Sequence, residues 1–215
     1  MPIRVGMYDF LSYTIPGGLY LFLVFYSLIT FNVFTFESNS IEFSLFQIIV
    51  LAIVSYVIGH IFNPITRFIF RPFHKPLEVQ KKALNECKEK YSARYPNIEI
   101  KFDIRHIPLM VEYLRKEKID IAMEIERFNS ISIFLRNVSG FFGAFSVVFI
   151  SQSIASGLQI VPLFLALCSV FLCLLSGQES IRFKENFFRK VFESILVRSL
   201  KISHFAKMNK DKKKK

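Results

Sequence analysis

The residue types best suited to chemistry lie in an uncharged, strongly apolar stretch that runs from Phe43 to about Asn63. Tyr56, His60 and Asn63 are spaced i, i+4 and i+7, so they share one face of a helix. Polar side chains at membrane depth are energetically costly and are therefore functional candidates. This face could line a pore, bind a lipid headgroup or contact a partner helix. The alternative is ordinary hydrogen bonding between helices.

A second set of candidates lies where the third apolar stretch begins. Arg136 and Asn137 open this stretch, and Arg127 precedes them on the same predicted helix. An arginine at this boundary can snorkel to lipid phosphate, or it can pair with a carboxylate or with polar groups of the second stretch. The next turns form a face of small residues that permits close helix packing, within one subunit or between subunits. The members of this face are Gly140, Gly143 and Ala144.

No familiar catalytic or cofactor-binding motif is found along the chain. It has no Gly-rich phosphate loop, no His-Glu-x-x-His zinc motif and no nucleophile elbow. The four histidines are scattered, and the three cysteines lie where neither a disulfide nor a zinc site is favoured. We therefore expect no metal, no cofactor and no enzymatic activity.

Four uncharged apolar stretches determine the predicted fold class. They lie at about 11–34, 43–63, 137–155 and 158–176, and each is long enough to cross a hydrocarbon core as a helix. Only helices satisfy the backbone polar groups of such segments in lipid. Hydrophobic residues make up 52% of the 215 residues, above the share usual in soluble domains. The sequence therefore predicts an all-α integral membrane protein with four transmembrane helices.

The basic residues are strongly segregated along the chain. None of the 28 Lys and Arg residues lies in the two short connections, 35–42 and 156–159. The positive-inside rule therefore places the N-terminus, the central segment and the C-terminus in the cytoplasm. We expect a multi-pass protein of the bacterial inner membrane. The net charge of +11 reflects this topology, so we expect no direct binding of nucleic acid.

These features divide the chain into four parts. Residues 1–63 are predicted to form a two-span hairpin, and 64–130 a cytoplasmic helical segment. Residues 131–176 then form a second two-span hairpin, and 177–215 a basic amphipathic tail. In the first hairpin, Pro16-Gly17-Gly18 is expected to loosen or kink the helix start. Four tyrosines are expected to act as aromatic anchors, at least two of them near the cytoplasmic interface. They are Tyr8, Tyr13, Tyr20 and Tyr26.

The cytoplasmic segment is predicted to be mainly helical. A polar helix is expected from Lys75 to Tyr95, and the alternation over Ile98–Phe102 suggests a short strand. No helix breaker lies between Pro108 and Gly140, so one long helix is expected from about Leu109 to Ser151. A break near Asn129-Ser130 is the alternative.

The tail from Glu179 onward combines apolar residues at helical spacing with basic residues. This pattern is typical of a helix that lies in the membrane surface. We predict that its basic residues bind the anionic lipids of the inner leaflet. The polybasic end, Lys212 to Lys215, would add to this electrostatic attraction. A solvated tail that only helps to set the topology is the alternative. The assigned residues are Arg182, Arg189, Lys190 and Arg198.

Three short motifs carry a resemblance to known proteins. They are Tyr8-Asp9-Phe10-Leu11-Ser12-Tyr13-x-x-Pro16-Gly17, Tyr56-x-x-Gly59-His60 and Arg127…Arg136-Asn137. Together they resemble a group of small bacterial four-span membrane proteins, and the layout is similar to the membrane subunit of the Kiwa anti-phage defence system. The resemblance implies a homo-oligomeric component that senses events at the inner membrane and works with a DNA-binding cytoplasmic partner. It covers the overall layout and assigns no function to single residues.

Three hypotheses about function follow from these patterns. The first is a homo-oligomeric sensor or scaffold for a cytoplasmic protein, because the exposed surface lies mostly on the basic side. The second is a pore-forming effector or channel lined by the Tyr56, His60 and Asn63 face. The third is a lipid-modifying enzyme whose active site assembles from distant residues.

Overall fold

The computed structural model describes residues 2–33, 44–94, 103–117 and 119–212, and the predicted strand at 98–102 lies outside these ranges. Every element in the described part of the chain is a helix. Four of the helices are long and apolar enough to cross a membrane. The predicted all-α fold with four candidate membrane spans is therefore confirmed, and it is compatible with a multi-pass membrane protein.

The described part of the chain forms seven α-helices and one 3-10 turn. The first two are α1 (Pro2–Thr30) and α2 (Leu45–Ile69). Two shorter helices follow, α3 (Arg71–His74) and α4 (Pro76–Arg94). A 3-10 turn (Ile104–His106) leads into α5 (Ile107–Glu117), and the last two helices are α6 (Ile119–Ala155) and α7 (Ile160–Lys212).

Helix ends in this chain are specified by local sequence. Ser44 and Gln47 form a capping box at the start of α2, in which each side chain accepts a hydrogen bond from the other residue's backbone N–H. Asn32 and Gly157 follow the ends of α1 and α6 with φ angles of 56° and 77°. In both cases the next amide donates to the carbonyl five residues earlier, which closes the helix in a Schellman motif.

The prediction of one long helix from Leu109 to Ser151 was wrong. Arg115 Nε on α5 donates to Glu126 Oε1 on α6 over 2.6 Å. One uninterrupted helix would place these residues roughly 16 Å apart along its axis, more than the two side chains can bridge. The segment is therefore two helices that pack against each other. α6 then continues without interruption through Asn129 and Ser130.

The chain divides into two compact units. The first consists of Met1–His74 and Ser130–Arg182, and its large apolar side chains are mostly exposed, for example Phe25, Ile53 and Phe171. Its buried positions include many small polar residues. They include Ser12, Ser55, Ser130, Ser132, Ser139, Ser146, Ser153, Ser169 and Ser180. An apolar exterior around small polar contacts is the arrangement expected of helices packed in lipid.

Within this first unit, α1 and α2 cross at two glycines. A Cβ on Gly17 would overlap the carbonyl oxygen of Ser55, and a Cβ on Gly59 would overlap the carbonyl oxygen of Tyr13. Only glycine permits backbones to approach this closely. Pro16 is buried beside the crossing and lies inside the continuous helix α1.

Serine hydroxyls join α6 to α7 in the same unit. The Ser132 hydroxyl donates to the Ser180 carbonyl and the Ser180 hydroxyl donates to the Ser132 carbonyl, each over 2.8 Å. Two turns further along α6, the Ser139 hydroxyl donates to the Cys173 carbonyl over 2.7 Å. The two contacts share one antiparallel register, so small polar side chains fix how these helices align.

The second unit consists of Lys75–Asn129 and Phe183–Lys215, and it has a hydrophobic core of its own. α4, α5, α6 and α7 all contribute to this core. Its buried members are Ala83, Leu84, Cys87, Ile107, Met110, Leu114, Ile125, Phe187, Phe188, Val191, Phe192 and Leu196. Burying a large apolar side chain contributes roughly 1.5–3 kcal/mol.

Three ion pairs run along the contact between α4 and α7 in this unit. They are Lys82–Glu185 at 3.1 Å, Glu86–Arg189 at 2.6 Å and Lys90–Glu193 at 2.9 Å. Successive pairs advance by one helical turn on both helices, so the two helices run parallel there. Exposed ion pairs contribute only about 0–1 kcal/mol each. The apolar core therefore provides most of the stability, and the ion pairs specify the register.

The crossing of α1 and α2 predicts that alanine at Gly17 and alanine at Gly18 will have very different effects on thermal stability. Gly17→Ala should lower the thermal stability of the detergent-solubilised protein, because relieving such overlap typically costs about 1–3 kcal/mol. Gly18→Ala is the matched control, since its Cβ would meet the Ser55 hydroxyl at an ordinary 3.5 Å. Size-exclusion melting curves of a fluorescent fusion would measure both. Equal melting temperatures for the two variants would contradict the observed crossing.

Burial of Cys87 predicts an unreactive thiol. Burial raises the pKa of Cys87 to about 11, above the ordinary value of about 8.5. The thiolate is therefore disfavoured in the folded protein. The contribution of the buried, protonated thiol to the stability of the fold is complete below about pH 8.5 and is lost as the pH rises through about 11.

With Cys168→Ala and Cys173→Ala in place, maleimide should label Cys87 at pH 7.5 only after denaturation. Mass spectrometry of the intact protein would measure the labelled fraction. Rapid labelling of the folded protein would show that α4 does not pack as described.

Candidate functional site

A polar contact joins α2 and α6 at the end of the second apolar stretch. Arg136 Nη2 on α6 donates to Asn63 Oδ1 on α2 over 2.6 Å. Both side chains are partly buried. Pairing of Arg136 with polar groups of the second stretch was one of the alternatives that the sequence left open, and the structure brings these two residues together.

A second contact lies one helical turn away and is fully buried. The Thr66 hydroxyl is 2.8 Å from Asn137 Oδ1 and 3.0 Å from the Asn63 carbonyl oxygen, so its single proton serves one acceptor at a time. The Tyr20 hydroxyl donates to the Asn137 carbonyl over 3.2 Å. A Cβ on Gly140 would overlap both Thr66 and Tyr20. Glycine at this position therefore lets α6 approach α1 and α2.

Aromatic rings surround the other members of the predicted polar face. The rings of Tyr13 and His60 stack with centroids 3.8 Å apart. Tyr56 meets His60 edge-on at 4.5 Å and stacks on Phe10 at 5.4 Å. Tyr56 and His60 therefore face α1, whereas Asn63 faces Arg136 on α6. His60 itself remains exposed.

Two buried donors in this cluster have no hydrogen-bond partner in the described structure. They are Arg136 Nε and Asn137 Nδ2. Asn137 is completely buried. A buried donor without an acceptor usually costs about 1–3 kcal/mol. The two unsatisfied donors are therefore an energetic cost of this cluster.

The other predicted site residues lie apart from this cluster. Arg127 is exposed and belongs to the second unit. A Cβ on Gly143 would meet Cys173 Sγ at 3.5 Å, an ordinary contact, so this position does not require glycine. Ala144 packs beside the buried cluster of Tyr20, Leu23 and Phe141. Of the two glycines of the predicted small-residue face, Gly140 is the one at which a Cβ would overlap its neighbours.

The basic residues assigned to lipid are found mostly in ion pairs. Arg182 pairs with Glu179, Arg189 with Glu86 and Glu185, and Lys190 with Glu124. The apolar residues beside Arg189 and Lys190 are buried in the core of the second unit, so that part of α7 needs no lipid to cover it. The side chain of Arg198 and residues 213–215 lie outside the described part of the chain. Lipid contact by this tail stays a prediction.

No group of three His, Cys, Asp or Glu side chains that could hold a metal is found among the described residues. The residues that the sequence reasoning missed are mainly Thr66 and Tyr20. Thr66 lies three positions after Asn63, so extending the polar face by one turn would have found it. Tyr20 was expected to be an interfacial anchor, but it is 4% exposed and hydrogen-bonded inside the unit.

The Thr66–Asn137 contact predicts a measurable coupling between α2 and α6. Thr66→Val and Asn137→Leu should each lower the free energy of unfolding in bicelles, and their effects should not add. A double-mutant cycle should give a coupling of about 0.6–2 kcal/mol, the range for hydrogen bonds between membrane helices. Strict additivity would indicate that the two side chains do not interact.

Comparison with known proteins found no matching family model, no similar curated protein and no similar solved structure. The resemblance to the Kiwa membrane subunit stays a hypothesis.

Proposed function

We propose that this protein is a homo-oligomeric sensor or scaffold of the bacterial inner membrane that works with a cytoplasmic protein. In this proposal both chain ends and the second unit lie in the cytoplasm, as the distribution of basic residues implies. Anti-phage defence is the setting suggested by the resemblance. The protein acts by binding, without catalysing a reaction.

The observation that carries the proposal is the separate core of the second unit. This core uses residues from four helices outside the predicted apolar stretches. A segment that served only to connect spans would not need to bury so many large side chains. A folded helical module with a charged exterior is suited to binding another protein.

One face of this module offers an apolar contact surface. Leu109 on α5 is 66% exposed. Met110 and Leu114 on the same helix are buried in the core. An exposed large apolar residue on an amphipathic helix is a typical anchor in helix-mediated binding. We therefore place the docking surface for the partner on this face of α5.

The proposal predicts that a soluble protein co-purifies in stoichiometric amount with the full-length chain from its native cells in mild detergent. Leu109→Glu should remove that protein, because it places a charge on the proposed docking surface. Quantitative mass spectrometry of the eluate would measure recovery. Deletion of 75–102 is a poor test, because α4 supplies Ala83, Leu84 and Cys87 to the core.

Leu77→Glu is the matched control, since Leu77 is 57% exposed on α4. Recovery lost with Leu109→Glu and kept with Leu77→Glu would support the assigned surface. Absence of any stoichiometric soluble protein in the wild-type eluate would overturn the proposal.

The alternative function is a pore-forming effector or channel. The observation that favours it is the exposed ring of His60 at a position predicted to lie in the membrane. A pore would conduct ions when the protein is reconstituted into liposomes, and His60→Leu would alter that flux. A scaffold leaves the liposomes sealed.

A further inference from the structure

We propose that Arg136 and Arg67 form a binding site for a phosphate group, at the end of α2 and in the middle of α6. Such a phosphate could belong to the headgroup of an anionic phospholipid or to a soluble phosphate compound. The inference concerns the first unit alone, so it stands independently of the partner docking proposed for the second unit.

The positive charge of Arg136 is not balanced by a negatively charged partner among the described residues. Its Nη2 donates to the neutral amide of Asn63, and its buried Nε has no acceptor. No described carboxylate forms an ion pair with it, although other arginines of this chain do form such pairs, including Arg115 and Arg189. A partly buried guanidinium that lacks an anion carries a large desolvation cost. Binding an anion would offset that cost.

A second arginine adds to the positive charge. Arg67 follows Asn63, the hydrogen-bond partner of Arg136, by one turn on the same face of α2. The Arg67 side chain is exposed, so it can turn toward a bound group. Two neighbouring guanidinium groups are a common arrangement for binding phosphate, because each can donate two parallel hydrogen bonds.

The described side chains that hydrogen-bond to Arg136 and Asn137 carry no negative charge. Asn137 is completely buried, so its amide is not available to a bound group. Tyr13 and His60 stack beside the same face of α2.

The depth of the site in a bilayer also suits a phosphate. Arg67 lies in the last turn of an apolar helix, where the headgroups of a bilayer are found. A phosphodiester at that depth would lie beside the exposed Arg67 side chain and the accessible part of Arg136.

Native mass spectrometry of the full-length protein would test the lipid source. Phosphatidylglycerol and phosphatidylcholine with identical acyl chains would be offered to the detergent-solubilised protein in equal amounts. We expect preferential retention of phosphatidylglycerol. Arg136→Gln should lower that retention roughly tenfold, as expected for the loss of charge-assisted hydrogen bonds.

The matched control is Arg127→Gln, an exposed arginine on the same helix, which should leave retention unchanged. Arg67→Gln provides an independent variant at an exposed position, and it should also weaken retention. It keeps the test decisive even if Arg136→Gln fails to fold.

A second arm tests soluble phosphate as the source. Inorganic phosphate should raise the melting temperature of the wild type, but not of Arg67→Gln, relative to chloride at equal ionic strength. Retention of phosphatidylglycerol alone would identify a lipid site, and stabilisation by phosphate alone would identify a site for a soluble anion. Equal retention of both lipids with no effect of phosphate, or no effect of Arg67→Gln in either arm, would overturn the proposal.

Discussion

Helices that cross a membrane must satisfy their polar side chains within the protein, because hydrocarbon offers no hydrogen-bond partners, and the apolar helices of the first unit largely meet this requirement. This requirement accounts for the buried contacts among α1, α2, α6 and α7. Thr66 meets Asn137, and Ser132 and Ser180 donate to each other's carbonyls. These short side chains reach their acceptors only if the helices come close, and glycine permits that approach at Gly17, Gly59 and Gly140. Hydrogen bonding and close packing therefore depend on each other.

The second unit has the opposite distribution of apolar and polar side chains. Its large apolar residues are buried, and its charged residues lie in pairs along the outer edges of the helices. This is how a protein module surrounded by water is stabilised. The contrast between the two units within one chain supports assigning them to different surroundings, lipid for the first and water for the second. It also separates their proposed roles, since docking of a protein is placed in one unit and binding of a phosphate in the other.

The cluster at Asn63 and Arg136 has a feature that ordinary helix packing does not explain. Helix contacts elsewhere in the first unit use neutral hydroxyl groups and backbone carbonyls. Here a positive charge is brought against a neutral amide, and buried donors are left over. Such local costs are commonly retained where a ligand is bound. A membrane sensor that reads an anionic headgroup would need this kind of site.

The amino-acid sequence by itself determined the number of apolar helices, because the length and composition of a segment decide whether it can cross lipid. It also revealed that Tyr56, His60 and Asn63 share a face, since helical spacing is a local property. Only the tertiary structure decided which side of that face meets α1 and which meets Arg136, because crossing geometry depends on both helices. The separation of α5 from α6 and the burial of the apolar face of α7 were likewise decided by the core of the second unit. An amphipathic pattern shows that a helix face will be covered, but it does not distinguish lipid from protein as the covering surface.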